Sequence, residues 1–140
     1  MKVIEVKKFL YLLVFIVIIT GVILIRNIVS DKTQTLRYKN VSIKYDFLQK
    51  NIDERLSKSD SEEIKKILNN RSLFSDNPSC GFSKDISFQF NDGDIIYSIA
   101  RDTCPMFKDE KTGTYFQISE KERDRINKIL EKYGVTFPAL

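Results

Sequence analysis

Residues 86–99 read ISFQFNDGDIIYSI, and this stretch decides the fold of the water-facing part of the chain. Ile86, Phe88 and Phe90 alternate with Ser87 and Gln89, the period of a strand with one buried face. Ile95 to Ile99 return with a similar pattern. Between them, Asn91-Asp92-Gly93-Asp94 supplies turn chemistry, and Asp92-Gly93 provides the positive φ of a two-residue hairpin turn. That turn sets Phe90 opposite Ile95, Phe88 opposite Tyr97 and Ile86 opposite Ile99. Every pair is apolar on one face, so the register is self-consistent.

Outward from the hairpin, the same patterns give further elements. Val41 to Phe47 alternates apolar and polar residues and reads as a half-buried strand. Leu48, Ile52 and Leu56 follow at a spacing of four, which fits a helical turn or two, or irregular cover. Ser59 with Glu62, or Asp60 with Glu63, forms a capping box that opens a helix. Ile64, Ile67 and Leu68 line its apolar face, and Asn69-Asn70 ends it. Residues 72–79 read as a loop, with Asp76-Asn77-Pro78 as its turn. Tyr115 to Ile118 is a short strand reached through a Thr112-Gly113 turn. Ser119-x-x-Glu122 caps a second helix, whose face carries Ile126, Ile129, Leu130 and Tyr133 and which Gly134 stops. Val135, Phe137 and Leu140 are expected to pack back on the core. The order implies an α+β domain, a small antiparallel sheet with a central hairpin packed against two helices.

The N-terminal part is different. Phe9 to Ile25 run without a charge. At about 1.5 Å per helical residue they reach ~26 Å, close to the ~30 Å hydrocarbon core of a bilayer. Ile28 and Val29 extend the helix if Arg26 snorkels to the interface. The division expected is a cytoplasmic tail at 1–8, a transmembrane signal anchor at 9–29, a linker at 30–40 and an extracytoplasmic α+β domain at 41–140. The rivals are a signal peptide, giving a secreted protein after cleavage of residues 1–30, and a buried hairpin or core helix. Lys2, Lys7 and Lys8 suit a signal peptide, but Ile28 is bulky for a position close before a cleavage site at Ser30. Cations flank both ends of the run, so charge does not orient it. The short tail and the two cysteines favour the domain outside.

The net charge of +4 is concentrated around this run. Lys2, Lys7, Lys8 and Arg26, against Glu5, leave residues 31–140 at +1. No basic block with interleaved aromatics occurs, so a nucleic-acid partner gets no support. The chain has no histidine. That removes the Ser/His/Asp and Cys/His nucleophiles and the H-E-x-x-H zinc site. No P-loop, GxGxxG or G-x-S-x-G occurs. In a calcium-loop alignment of Asn91–Asp94, Phe88 would stand where a carboxylate is required. No cofactor or metal is implied. The paired carboxylates read as solvated surface.

Cys80 and Cys104 are the only cysteines. A disulfide between them would clamp the open end of the hairpin, and a bulge near Gly81 would bring the sulfurs together. Free buried thiols and a redox or metal role are the alternatives, although CxxC spacing and further ligands are missing. Phe74, Phe82, Phe107 and Tyr115, in loops or at strand ends, are candidates for contact with a partner. The plainer alternative for each is the core.

Four segments carry a resemblance: Asn77-Pro78-Ser79-Cys80-Gly81-Phe82-Ser83, Ala100-x-Asp102-x-Cys104-Pro105, Tyr115-Phe116-x-Ile118-Ser119 and Lys132-Tyr133-Gly134-x-x-Phe137-Pro138. Over roughly residues 62–140 the chain resembles an uncharacterised bacterial domain. That domain is also found at the C-terminus of some antibiotic-sensing membrane metallopeptidases. The resemblance implies a membrane-tethered accessory domain. The peptidase activity does not carry over, because the zinc motif is missing. The family pattern commonly has cysteines where Ala139 stands and near Ser98; their replacement here leaves a single pair.

The functional expectation is a single-pass protein. It meets the lipid bilayer through residues 9–29, and its binding or accessory domain is expected to take a ligand that the sequence does not identify: a partner protein such as an envelope or membrane protein, another envelope component, or a regulatory ligand. The rival class is a carboxylate- or thiol-based enzyme, which would need acids converging in a pocket with raised pKa values.

Overall fold

Alternation in residues 41–47 and 86–90 produces neighbouring strands of one sheet in the computed structural model, which describes residues 2–30, 32–47, 49–102 and 104–135. The chain divides into two compact units, Met1–Lys32 and Thr33–Leu140.

The first unit is helix α1, Lys2–Ser30. Its stretch Lys7–Ile25 is long and apolar enough to cross a membrane and lies near the N-terminus, as a membrane anchor or a signal sequence would. The aliphatic hydroxyl of the charge-free run, on Thr20, donates to the carbonyls of Ile16 and Val17, so the helix satisfies it internally.

The second unit holds β1 (Val41–Phe47), β2 (Lys50–Arg55), α2 (Lys58–Leu68), β3 (Phe82–Phe90), β4 (Ile95–Ala100), β5 (Met106–Asp109), β6 (Tyr115–Gln117) and α3 (Glu120–Leu130). The strands form one antiparallel sheet in the order β2-β1-β3-β4-β5-β6. Ile43, Phe88, Tyr97, Phe107 and Phe116 lie on one face and join the apolar sides of α2 and α3 in a single core. The α+β class stands.

The hairpin keeps the expected register from Ser87 to Phe90, with Phe88 opposite Tyr97 and Phe90 opposite Ile95. The turn differs. It is a four-residue loop in which Asn91, Asp92 and Gly93 all have positive φ. The side chain of Asn91 is used to hold the amide of Lys39, which favours this wider turn. The pairing of Ile86 with Ile99 is also displaced. Phe82 faces Ala100, so five steps along β3 match two along β4 and a bulge falls between Phe82 and Ser87, while Ile86 stays paired with Tyr45 of β1.

Three further expectations change. The segment 30–40 is not a free linker beyond residue 32, because the domain begins at Thr33. Thr35 and Tyr38 are buried, and Thr33 exchanges backbone hydrogen bonds with Arg71 and Asn70. Polar composition misled here, since buried threonines with satisfied hydroxyls read like loop. Ile52 belongs to a strand rather than a helical turn, and Leu56 is a buried residue just after it; Leu48 lies outside the described residues. Gln49 at φ 67° turns the chain, and Ile52 then faces Tyr45. Lys50, Asp53, Glu54 and Arg55 crowd this strand, a composition that guards a sheet edge against pairing with other chains. Finally, α2 is capped by Ser57 rather than Ser59 or Asp60, with the Ser57 Oγ accepting from the Asp60 amide.

The capping box of Ser119 and Glu122 on α3 is present. A short 3-10 turn follows, and Gly134 closes it in the left-handed conformation, φ 75°. Val135 is buried; Phe137 and Leu140 lie outside the described residues. β5 has no counterpart in the sequence reading. Its four residues contain two charges and only Phe107 as a core side chain.

Candidate partner-binding site

Tyr115 and Phe116 are adjacent on β6 and therefore point to opposite faces of the sheet. Phe116 enters the core. Tyr115 pairs with Lys108 of β5 and stands on the other face. There its ring meets Phe82, 5.4 Å between centroids, and Phe74, 6.1 Å. Phe74 is held by a two-bond bridge along the free edge of β6. Its amide donates to the Tyr115 carbonyl at 3.0 Å, and its carbonyl accepts from the Tyr115 amide at 2.9 Å. The Tyr115 hydroxyl donates to Asn77 at 2.9 Å, which fixes the loop before Cys80. Phe74 and Phe82 are half-buried and Tyr115 is 8% exposed.

Three of the four aromatic candidates thus converge on one patch. Phe107 does not. It is fully buried between Phe88 and Phe116, stacked on the latter at 5.2 Å, and has no surface to offer a partner. Its neighbours on the adjacent strands, Ile99 and Phe116, are both core residues, so pairing assigns it to the helix-covered face.

The bulge at 83–86 lets Cys80 reach Cys104. Their sulfurs sit at disulfide distance, with Cα atoms 6.4 Å apart. The irregularity expected at Gly81 lies just beyond it. Met106 Sδ is 3.8 Å from Cys80 Sγ, so the sulfurs border the same region of the sheet. Ligand atoms of Cys80, Asp102 and Cys104 all lie within 4.8 Å of one another. With the sulfurs bonded to each other neither is a thiolate, and thiolates are what a metal would take. Asp102 instead accepts from the Cys104 amide at 3.0 Å.

Among the described residues, no group of three or more carboxylates converges. Asp60, only 7% exposed, is held below the usual carboxylate range by its hydrogen bond to Lys132, with Ser57 and Tyr133 adding to this. Burial pushes Glu122 up, but hydrogen bonds from Arg71 and Ser119 outweigh it and hold the group low. A groove of about 340 Å³ beside the start of α2 is lined by Lys39, Arg55 and Lys58, and its one acid, Glu62, is paired to Lys65. Acid catalysis asks for raised pKa values in such a place, so the carboxylate-enzyme reading is not favoured.

No family model, curated protein or solved structure matches this chain.

Proposed function

We propose that the chain is a single-pass membrane protein whose α+β domain stands outside the cytoplasm. There it binds an envelope or membrane protein through the patch of Phe74, Phe82 and Tyr115. The observation that carries this reading is the convergence of three aromatic rings on the sheet face opposite the helices, beside a cysteine pair. Half-buried aromatics held by backbone bonds present apolar area at little conformational cost, as interface anchors do. The apolar stretch Lys7–Ile25 supports anchoring. The cysteine pair supports an oxidising compartment, where such bonds persist. The resemblance of residues 62–140 to a membrane-tethered accessory domain points the same way.

Thiol-modifier labelling of intact cells carrying the native protein tests the location. Modification only after reduction is expected. Modification only after lysis, without reduction, would place the domain in the cytoplasm. A photo-crosslinking residue at position 74 tests the patch. It should yield a discrete adduct that the same residue at the remote position 111 does not.

A further inference from the structure

Leu36 is the one large apolar side chain left exposed among the described residues of the folded unit, 53% accessible. It stands at the tip of a turn in which the Tyr38 amide donates to the Thr35 carbonyl at 3.2 Å. Turn tips favour Gly, Asn, Asp or Ser, so a leucine there is out of place for a turn facing only water. The turn is also held firmly. Thr35 donates its hydroxyl to the Lys65 carbonyl at 2.6 Å and its amide to Asn69 at 2.9 Å. Tyr38 is buried against Phe90, with centroids 5.8 Å apart. The leucine is thus presented on a fixed knuckle.

Cations follow it in sequence, and the second of them, Lys39, also lines the basic groove at the start of α2. Arg37 lies over the ring of Tyr38, and Lys39, Arg55 and Lys58 line the groove. The acids nearby are largely engaged. Glu62 pairs with Lys65, and Asp92 forms an exposed, easily exchanged pair with Arg55. An apolar tip with Arg37 and Lys39 beside it in sequence, and Lys39 continuing into a basic groove, is the composition of a lipid-interface contact. Leu36 also follows Ser30, the last residue of α1, by only six residues in sequence.

We infer that this knuckle docks on an anionic phospholipid surface, with Leu36 entering the acyl boundary and Arg37, Lys39, Arg55 and Lys58 meeting the phosphates. The inference rests on α1 being a membrane anchor. It places a second lipid contact on the domain itself.

The protein has no tryptophan, so a single introduced one reports cleanly. The test uses the full-length Leu36→Trp chain in nanodiscs of neutral phosphatidylcholine, or of phosphatidylcholine with phosphatidylglycerol, each with or without brominated acyl chains. In the anionic discs the emission should shift to the blue and be quenched by bromine; in neutral discs it should do neither. A Lys111→Trp chain, with its reporter in the exposed turn before β6, should stay unquenched in both. Adding Lys39→Gln or Lys58→Gln to the Leu36→Trp chain should each lower the docked-to-undocked ratio about fivefold. Absence of quenching in anionic discs would overturn the inference. So would equal quenching in both disc types, or equal quenching from position 111. A chain that the discs do not retain would overturn the anchor reading itself, which separates the two failures.

Discussion

The hydroxyl of Tyr133 donates to the carboxylate of Asp60 at 3.0 Å, although the two residues belong to different ends of the domain sequence. The same hydroxyl accepts from the Ser57 amide at 2.8 Å, and Lys132 adds a second bond to Asp60 at 2.6 Å. The first turn of α2 is thereby tied to the turn that follows α3. Two pairs, Arg71 with Glu122 and Arg125 with Glu63, link the helices elsewhere.

This tie makes the fold acid-sensitive in a defined sense. Asp60 titrates lower in the folded protein than its ordinary 3.8. Its contribution is therefore fully present above the unfolded-state value and is lost as pH falls through the folded one. The melting temperature should drop below about pH 4. Asp60→Asn should cost about 1–3 kcal/mol at neutral pH, and the variant should lose less than the parent on acidification. Calorimetry of both proteins from pH 7 to pH 2 measures this.

Removing the cysteine link should weaken the domain without changing its architecture. Cys80 and Cys104 are 24 residues apart in sequence, and a closure of that length is worth about 3 kcal/mol in the chain-entropy model. The double variant Cys80→Ser/Cys104→Ser should melt well below the oxidised parent, and reductant should lower the parent to the same level. A parent unaffected by reductant would remove the link from the fold.

The aromatic candidates should separate cleanly. Phe107→Ala opens a cavity among Phe88 and Phe116 and should cost about 3–5 kcal/mol. Phe74→Ala, at a half-buried edge position, should cost about 1–2 kcal/mol and leave the near-ultraviolet dichroism of the core intact. Chemical denaturation of the two variants tests this ordering.

Two glycines should respond differently to alanine. At Gly134 the φ of 75° excludes easy substitution although a Cβ would meet only Ile52, 3.8 Å away. Gly134→Ala should cost about 1–2 kcal/mol. Gly81 has neither a left-handed φ nor a neighbour within 4 Å. Gly81→Ala should stay within about 0.5 kcal/mol of the parent. Paired urea titrations would show the difference.

Where local chemistry and core demands coincide, as at Ser119–Glu122, Gly134 and the Phe88–Tyr97 pair, the sequence alone locates the element. It fails where one residue has two tasks. Asn91 serves both the turn and Lys39, so the hairpin opens wider than Asp92-Gly93 suggests. Asp60 reads as a cap, yet it is spent on the turn after α3. Strands β2 and β5 escape notice because each carries charges and few apolar side chains. The patch of Phe74, Phe82 and Tyr115 was visible only as separate aromatics. Its assembly depends on the displaced register of β3 and on an edge bridge, both long-range facts without a local signature. The same pairing that gathers those three removes Phe107.

Thr33 gives the domain a defined load path. Its amide and carbonyl bond to Arg71 and Asn70, while its hydroxyl donates to the Leu68 carbonyl and accepts from the Arg71 amide. Tension arriving from the preceding residues would meet these four bonds at a single residue and stress them together, before it reached Tyr38 or β1. The domain should resist a pull from its N-terminal side by shear at the end of α2, and its sheet would feel that force only after the Thr33 contacts, and then those of Thr35 with Lys65 and Asn69, had broken.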